Sequence, residues 1–469
     1  MIDEALKDER LDLLAKLELL SQARDVERLE KITRTMLRED INDPAALYYM
    51  AKAYIYSNKE EIGATLLQKC AAYKPRSAHI WELLASAFDG MYMYEEAIEC
   101  YEHAIALEDV KPMEEREPDE LRSMSALYGS IASSYVGISK PYTAIEYCNK
   151  GLEYEPKSKI CLANKGIANM ALGNWSEGWQ GYELLVGEPG TKRKLINYGG
   201  ADSKVRWDGS DVDCVVTYAE QGIGDSIMFA SCIEDAQKHA KKVVIDCDKK
   251  LEGLFKRSFP DCDVYGTRHD PSPEWTSQYQ VDSSLGMGSL PSLFRLSKES
   301  FPRKPYLVAD PERRTMYRAL LDSWSDRPKV GISWTGGNIY GGFRRLELDR
   351  LKQLIDAFPH IDWVSLQYKA TPTYNLPIHK IPYAAESADY DDTAALVAEL
   401  DLVISVPQAA VHLAGALGTE CWCLVPDQVR WIYGVDGDQH NWYGSVKMYR
   451  EWDTMIERVI QDLSLRYPR

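Results

Sequence analysis

Leu47-Tyr-Tyr-Met-Ala-Lys-Ala-Tyr54 returns 34 residues later as Trp81-Glu-Leu-Leu-Ala-Ser-Ala-Phe88, then 47 later as Tyr128-Gly-Ser-Ile-Ala-Ser-Ser-Tyr135, then 34 later as Leu162-Ala-Asn-Lys-Gly-Ile-Ala-Asn169. Large, small and large residues at positions 1, 5 and 8 of each block share one face of a helix, because 3.6 residues make a turn. A second set of small and apolar residues follows each block: Gly63/Leu67/Cys70, Ala97/Tyr101/Ala104 and Ala144/Cys148/Gly151. Each repeat is therefore a pair of helices whose small residues let the two approach closely. Pro75 and Pro156 close the first and third.

A 34-residue helix pair is the tetratricopeptide period. The longer step contains 13 extra residues, and the charged, proline-bearing stretch Glu108 to Glu120 (EDVKPMEEREPDE) supplies them as a loop between helices. Leu13 to Leu37 fits the same step backwards as a divergent first pair that acts as a cap. This helical domain is expected over residues 1–190.

From about residue 200 the pattern changes to short Val/Ile-rich runs alternating with amphipathic stretches, which builds parallel sheet covered by helices. Strands are expected at Cys214 to Tyr218, Lys242 to Asp246, Asp263 to Tyr265, Val330 to Trp334, Trp363 to Gln367, Leu402 to Val406 and Cys421 to Val425. Pro302, Pro305 and Pro311 mark a connection, with a helix at Arg313 to Ser323 leading onward. Two α/β units follow, at 200–310 and 325–469.

Composition narrows the function classes. The 469 residues are 45% hydrophobic and 27% charged, an ordinary globular balance, and 55 Lys plus Arg against 72 Asp plus Glu leave a formal charge of −17. Such a field repels a phosphate backbone, which argues against nucleic acid as a partner. The ten cysteines show neither a C-x-x-C pair nor clustered zinc spacing, and read as buried thiols in a reducing compartment. The acidic start MIDEALKDERLDLLAKLELL is unlike a secretory leader, and no apolar run is long enough to span a membrane. The expectation is a cytoplasmic protein, with the periphery of the inner membrane as the alternative location.

Three loops carry candidate chemistry. Tyr218-Ala-Glu-Gln221-Gly222-Ile-Gly224-Asp225 ends a strand in two glycines and opens a helix, offering close backbone approach and free N–H groups. It lacks the third glycine of a dinucleotide fingerprint and the Lys-Ser/Thr of a P-loop. Asp225 reads either as a carboxylate complementing the helix end or as a general base. Pro407-Gln408-Ala409-Ala-Val-His412 opens a small-residue helix stopped by Gly418. Pro407 suits the first helical position, leaving amides at Gln408 and Ala409 for a phosphate, or else the segment is a well-capped core helix with a hydrogen-bonded His412. Thr335-Gly336-Gly337-Asn338, with Arg344 and Arg345 after it, suits anionic oxygens or forms a surface turn. Asp246-Cys-Asp248, Asp261-Cys-Asp263 and Asp436-Gly-Asp438 are short acid pairs of the kind that hold a divalent metal in one class of sugar transferases, but a pattern this permissive arises easily by chance.

Taken in order, GNWSEGWQGYE (173–183), Trp207-Asp-Gly209, AEQGIGDSIMFA (219–230), VGISWTGG (330–337), Tyr390-Asp-Asp-Thr-Ala-Ala-Leu396, Leu400 to Val406, Val411 to Gly418 and Asn441-Trp-Tyr-Gly-Ser-Val446 resemble bacterial proteins that join tetratricopeptide repeats to a glycosyltransferase-like domain akin to the lipopolysaccharide heptosyltransferases. The resemblance implies a multidomain chain: an all-α repeat solenoid followed by a GT-B-like α/β domain of two Rossmann-like units, the first on the acceptor side and the second on the nucleotide-sugar side. It implies Asp225 as catalytic base, with Gln221, Gly222 and Gly224 in the acceptor-side loop. Donor contacts would come from Gln408, Ala409 and His412, from Thr335, Gly336 and Arg344 or Arg345, and, on the nucleotide side, from Gln367, Pro426, Trp431 and Tyr433. No cofactor and no metal is implied.

The sequence departs from the family at Ser405-Val406-Pro407-Gln408, where heptosyltransferases carry an acidic residue in a run like Ser-Val-Asp-Thr, so ADP-heptose is a doubtful donor. A short first unit suggests that the repeat groove helps bind a protein or glycan acceptor. The expected function is transfer of a sugar from a nucleotide-diphosphate donor to a hydroxyl on a protein or surface glycan. The alternatives are a catalytically silent scaffold that at most binds a nucleotide, and a metal-dependent transferase using an Asp-x-Asp pair.

Overall fold

A computed structural model describes residues 12–188, 191–199, 206–268, 270, 272–336, 344–368, 373, 375–385 and 389–468. The chain divides into two compact units, Met1–Ala168 and Asn169–Arg469.

The first unit is helical: α1 (Leu13–Gln22), α2 (Val26–Glu39), α3 (Pro44–Tyr56), α4 (Glu60–Tyr73), α5 (Ala78–Gly90), α6 (Tyr94–Glu108), α7 (Pro118–Gly137), α8 (Pro141–Tyr154) and most of α9 (Lys159–Ala171). The side chains of Asp12, Asp25 and Asp43 accept the N–H groups of Ala15, Arg28 and Ala46, which satisfies donors the first turn leaves open. The signature positions make the core: Leu47, Ala51, Leu84, Ala85, Ile131 and Ala132 are at most 2% exposed. Gly151 shows why small residues recur, since a Cβ there would lie 2.5 Å from Cys161 Sγ.

The turns repeat as faithfully as the helices. Left-handed backbone occurs at Arg24, Asn58, Tyr92, Ser139 and Gly173, at steps of 34, 34, 47 and 34. In each turn that residue's N–H donates to the carbonyl three residues back, at 3.0 to 3.1 Å. The divergent pair at Leu13 to Leu37 is thus in register with the rest. The inserted stretch lies between α6 and α7 as expected, although helix resumes at Pro118, inside its last residues. The region is an array of tetratricopeptide-like helix pairs.

The second unit opens with α10 (Trp175–Glu183) and holds two parallel sheets. The first has the order β3-β2-β1-β4, with β1 Val212–Tyr218, β2 Ala240–Asp246, β3 Asp263–Tyr265 and β4 Ser283–Gly286. The helix α11 (Ile223–Phe229) follows β1. α12 (Pro311–Asp322) leads into the second sheet, ordered β10-β9-β8-β5-β6-β7: β5 Lys329–Ser333, β6 Asp362–Ser365, β7 Ile378–His379, β8 Leu402–Ser405, β9 Cys421–Leu424 and β10 Val446–Tyr449. α13 (Leu348–Ala357), α14 (Tyr390–Ala398), α15 (Ala409–Leu417) and α16 (Met455–Arg466) accompany it.

All seven expected strands are present within two residues at either end. β4, β7 and β10 are additions. All ten cysteines are buried and free. No described helix is long and apolar enough to cross a membrane.

Candidate functional site

The loops at the carboxyl ends of the two sheets meet. β1 ends at Tyr218, and Gly222, extended at φ −72°, starts α11 with its N–H donating to Asp225 Oδ2 at 3.1 Å. Asp225 therefore stabilises its own helix end, as a first-turn carboxylate does. Its other oxygen lies 3.5 Å from Arg430 Nη1, contributed from beyond β9. Gly224 marks the point of contact: a Cβ there would lie 3.2 Å from both Ala409 Cα and His412 Cδ2, so α11 and α15 touch where glycine leaves room.

On the other side Gln408 is extended (φ −162°, ψ −176°) and caps α15, which begins at Ala409. Pro407 is thus not the first helical residue but precedes the cap. The Gln408 amide donates to Ser333 Oγ and lies 3.4 Å from Ser405 Oγ, and these bonds to two strand ends hold it out of helix. Gly418 ends α15 in left-handed conformation as expected. Gly336 packs on this turn, with 3.1 Å between its would-be Cβ and Pro407 O, and its N–H donates to Arg344 O at 3.2 Å. Thr335 bridges to Arg345 in an antiparallel pair. Arg344 is half-buried and Arg345 exposed; Gly337, Asn338 and Gly341 to Phe343 of the same loop lie outside the described residues.

Gln367 is 5% exposed and acts as a clamp. Its Oε1 accepts from Ser333 Oγ, Trp334 N and Thr335 N at 3.1 Å each, and its Nε2 donates to Thr335 O at 2.8 Å. It sets the turn after β5 from behind. His412 is 4% exposed, with Nδ1 at 3.2 Å from Tyr443 Oη and Nε2 at 3.3 Å from Tyr433 Oη. Burial pushes its pKa down to about 4, so the imidazole is neutral near pH 7. Trp431 is 6% exposed and packs on Trp175, Trp179 and Tyr182 of α10 at centroid distances of 5.5 to 6.4 Å.

Sequence reasoning missed the anchor of the glycine loop. Gln221 Oε1 accepts from Tyr182 Oη at 3.1 Å, while Glu220 Oε1 accepts from Arg193 Nε at 2.9 Å. Arg193 also donates to Glu183 and Ser289 and stacks over Tyr182. Desolvation raises the Glu220 carboxyl above the usual carboxylate range, and Arg193 opposes it. The run GNWSEGWQGYE was legible only as a motif, and its role is to carry Tyr182 and Glu183 to this network.

Among the described residues no cluster of three or more His, Cys, Asp or Glu side chains could hold a metal ion. Of the short acid pairs, Asp246 is engaged by Tyr198 Oη at 2.6 Å and by Thr267, and Asp248 caps the turn at Lys249–Leu251. The assembled groups can accept a proton at Asp225 and hold anionic oxygens through arginines and the first amides of α15.

Fold and site together define a class: tetratricopeptide-like repeats continued by an α/β unit of two parallel sheets whose carboxyl-end loops meet. Over 435 residues the chain is 26% identical to Protein FlbA of Caulobacter vibrioides, a match covering 86% of this chain and 70% of that protein. A match of that length takes in parts of both units. Among solved structures the chain is similar to the crystal structure of MamA (19% identity, 37% of this chain and 92% of that one, TM-score 0.30). It is also similar to Pseudomonas aeruginosa PilF (17% identity, 39% of this chain and 76% of that one, TM-score 0.31). No family model matches the chain.

Proposed function

We propose that the second unit is a metal-independent glycosyltransferase of the GT-B kind, moving a sugar from a nucleotide-diphosphate donor to a hydroxyl on a protein or surface glycan, with the repeats recruiting the acceptor. The observation that carries the reading is the meeting of Gly224 and Asp225 with the Gln408–Ala409 turn at the carboxyl ends of two parallel sheets, the crevice in which such sheets take ligands. Asp225 removes the acceptor proton. Arg430, Arg344 or Arg345 and the α15 amides neutralise the leaving diphosphate. In the repeats, a cavity of about 570 Å³ with Trp81, Leu84 and Phe88 in its lining and Glu96 and Glu99 beside them offers an extended peptide an apolar seat.

The test is a thermal-shift screen of the purified chain against nucleotide-sugars and free nucleoside diphosphates, where a donor at about 100 times its Kd adds about 2.7 kcal/mol. Transfer by the wild type should fall at least about 100-fold in Asp225→Asn with donor binding kept. No shift with any donor overturns the reading in favour of a scaffold, and loss of activity on chelation would favour the Asp-x-Asp alternative.

A further inference from the structure

Two ion pairs hold the glycine loop after β1, and they differ in kind. Arg193 meets Glu220 at 2.9 Å with both side chains at most 4% exposed, a buried pair that is costly to break. Arg430 meets Asp225 at 3.5 Å, with side chains 45% and 16% exposed. An open pair of that length is weak and yields to a competing charge. The first pair anchors the loop, and the second is exchangeable.

Both backbones are fixed while one side chain is free to turn. Asp225 is held from its own helix start, where the Gly222 N–H donates to Oδ2, and Oδ1 faces Arg430. The residue after Arg430 is Trp431, buried against Trp175, Trp179 and Tyr182. The half-exposed guanidinium therefore re-aims by rotamer change, without moving the chain that carries it. The charges of Arg430, Arg344 and Asp225 all act on the buried hydroxyl of Tyr433, which gathers the three around one side chain. Two guanidiniums and one carboxylate leave a single positive charge in excess. An anion that displaces the carboxylate meets both guanidiniums.

We propose that Arg430 is shared: it spans the crevice to Asp225, and a diphosphate entering the crevice takes it over from the carboxylate, so that Asp225 is released for the acceptor only once the donor is seated. The inference rests on the transferase reading above and adds to it an order, donor before acceptor. Asp225 and the diphosphate then compete for one guanidinium, and the share of molecules with Arg430 on Asp225 weakens the apparent donor affinity. Neutralising the base should therefore tighten the donor.

Full-length wild type, Asp225→Asn, Arg430→Gln and the double variant are titrated by calorimetry with the diphosphates of uridine, adenosine and guanosine and with inorganic pyrophosphate. For the best probe, Asp225→Asn should bind about fivefold tighter than wild type and Arg430→Gln about tenfold weaker. In the Arg430→Gln background the gain from Asp225→Asn should shrink below about twofold, because the two anions no longer have a guanidinium to compete for. A gain that stays above about twofold there is plain charge repulsion and overturns the proposal. Equal affinity of wild type and Asp225→Asn overturns it too, while leaving the transferase reading in place. Absence of binding by every probe to all four proteins overturns that reading and this inference with it. Should Asp225→Asn fail to fold, Asp225→Ser takes its place in the same cycle, since it also removes the charge.

Discussion

Asp89 faces inward from α5, with Ser134 Oγ donating at 2.7 Å and Tyr101 Oη at 3.3 Å. Desolvation outweighs both bonds and raises its pKa from 3.8 to about 6. Because the folded value lies above the unfolded one, the fold holds the proton more tightly. The contribution is full below about pH 4, falls as pH rises through about 6 and is flat beyond. Asp89→Asn should remove that part of the pH dependence of the melting temperature between about pH 4 and pH 7; an unchanged slope would refute the assignment. At this scale the sequence is uneven evidence. The strand-glycine-helix spacing singled out Asp225, but the arginine beside it comes from 205 positions away and has no local signature. The same holds for Arg193 and Glu220, since chain proximity says nothing of partners that the fold alone brings together.

Among the elements, α15 is the tightest. A Cβ on Gly415 would lie 2.3 Å from Tyr443 Cγ, and that ring's hydroxyl holds His412. Helix propensity alone predicts that Gly415→Ala stabilises by about 0.5–1 kcal/mol. The contact predicts the opposite sign, a loss of about 1–3 kcal/mol in chemical denaturation. Strands with Val or Ile on both faces, such as β1 and β2, were readable because buried parallel strands favour those residues. β4 escaped notice because its sequence is Ser-Ser-Leu-Gly, and Ser283 and Ser284 are wholly buried with no apolar signal. β7 is two residues long, shorter than any periodicity can show. The helix pairs were legible because small residues recur where helices cross, while four of the five left-handed turns fall on Arg, Asn, Tyr and Ser, which carry no glycine cue, and only the last falls on Gly173.

For the whole molecule the informative boundary lies between Ala168 and Asn169. α10 continues the helical rhythm, yet Trp179 Nε1 donates to Arg295 O at 2.8 Å and Trp175 packs on Phe301 and Trp431, so this helix is part of the sheet unit's core. A chain starting at residue 169 should keep a cooperative melt and, on the transferase reading proposed above, should keep donor binding while losing acceptor use. One starting at 191 strips the loop anchor and should melt lower, by circular dichroism, or fail to fold. Equal stability of the two would show that α10 is dispensable. The shared rhythm explains why the sequence alone places the end of the helices near 190: repeat period and core membership are separate properties, and only packing distinguishes them.

The buried thiols give the protein an intrinsic chemical clock. Cys70, Cys100, Cys148 and Cys161 fall in the first unit and the other six in the second. Removal from water pushes the thiol pKa of Cys148, Cys232, Cys262 and Cys421 upward, which suppresses the thiolate that alkylating reagents attack. Alkylation in the native state must therefore wait for local or global opening, and mass spectrometry of the labelled peptides dates the breathing of each unit separately without any engineered probe.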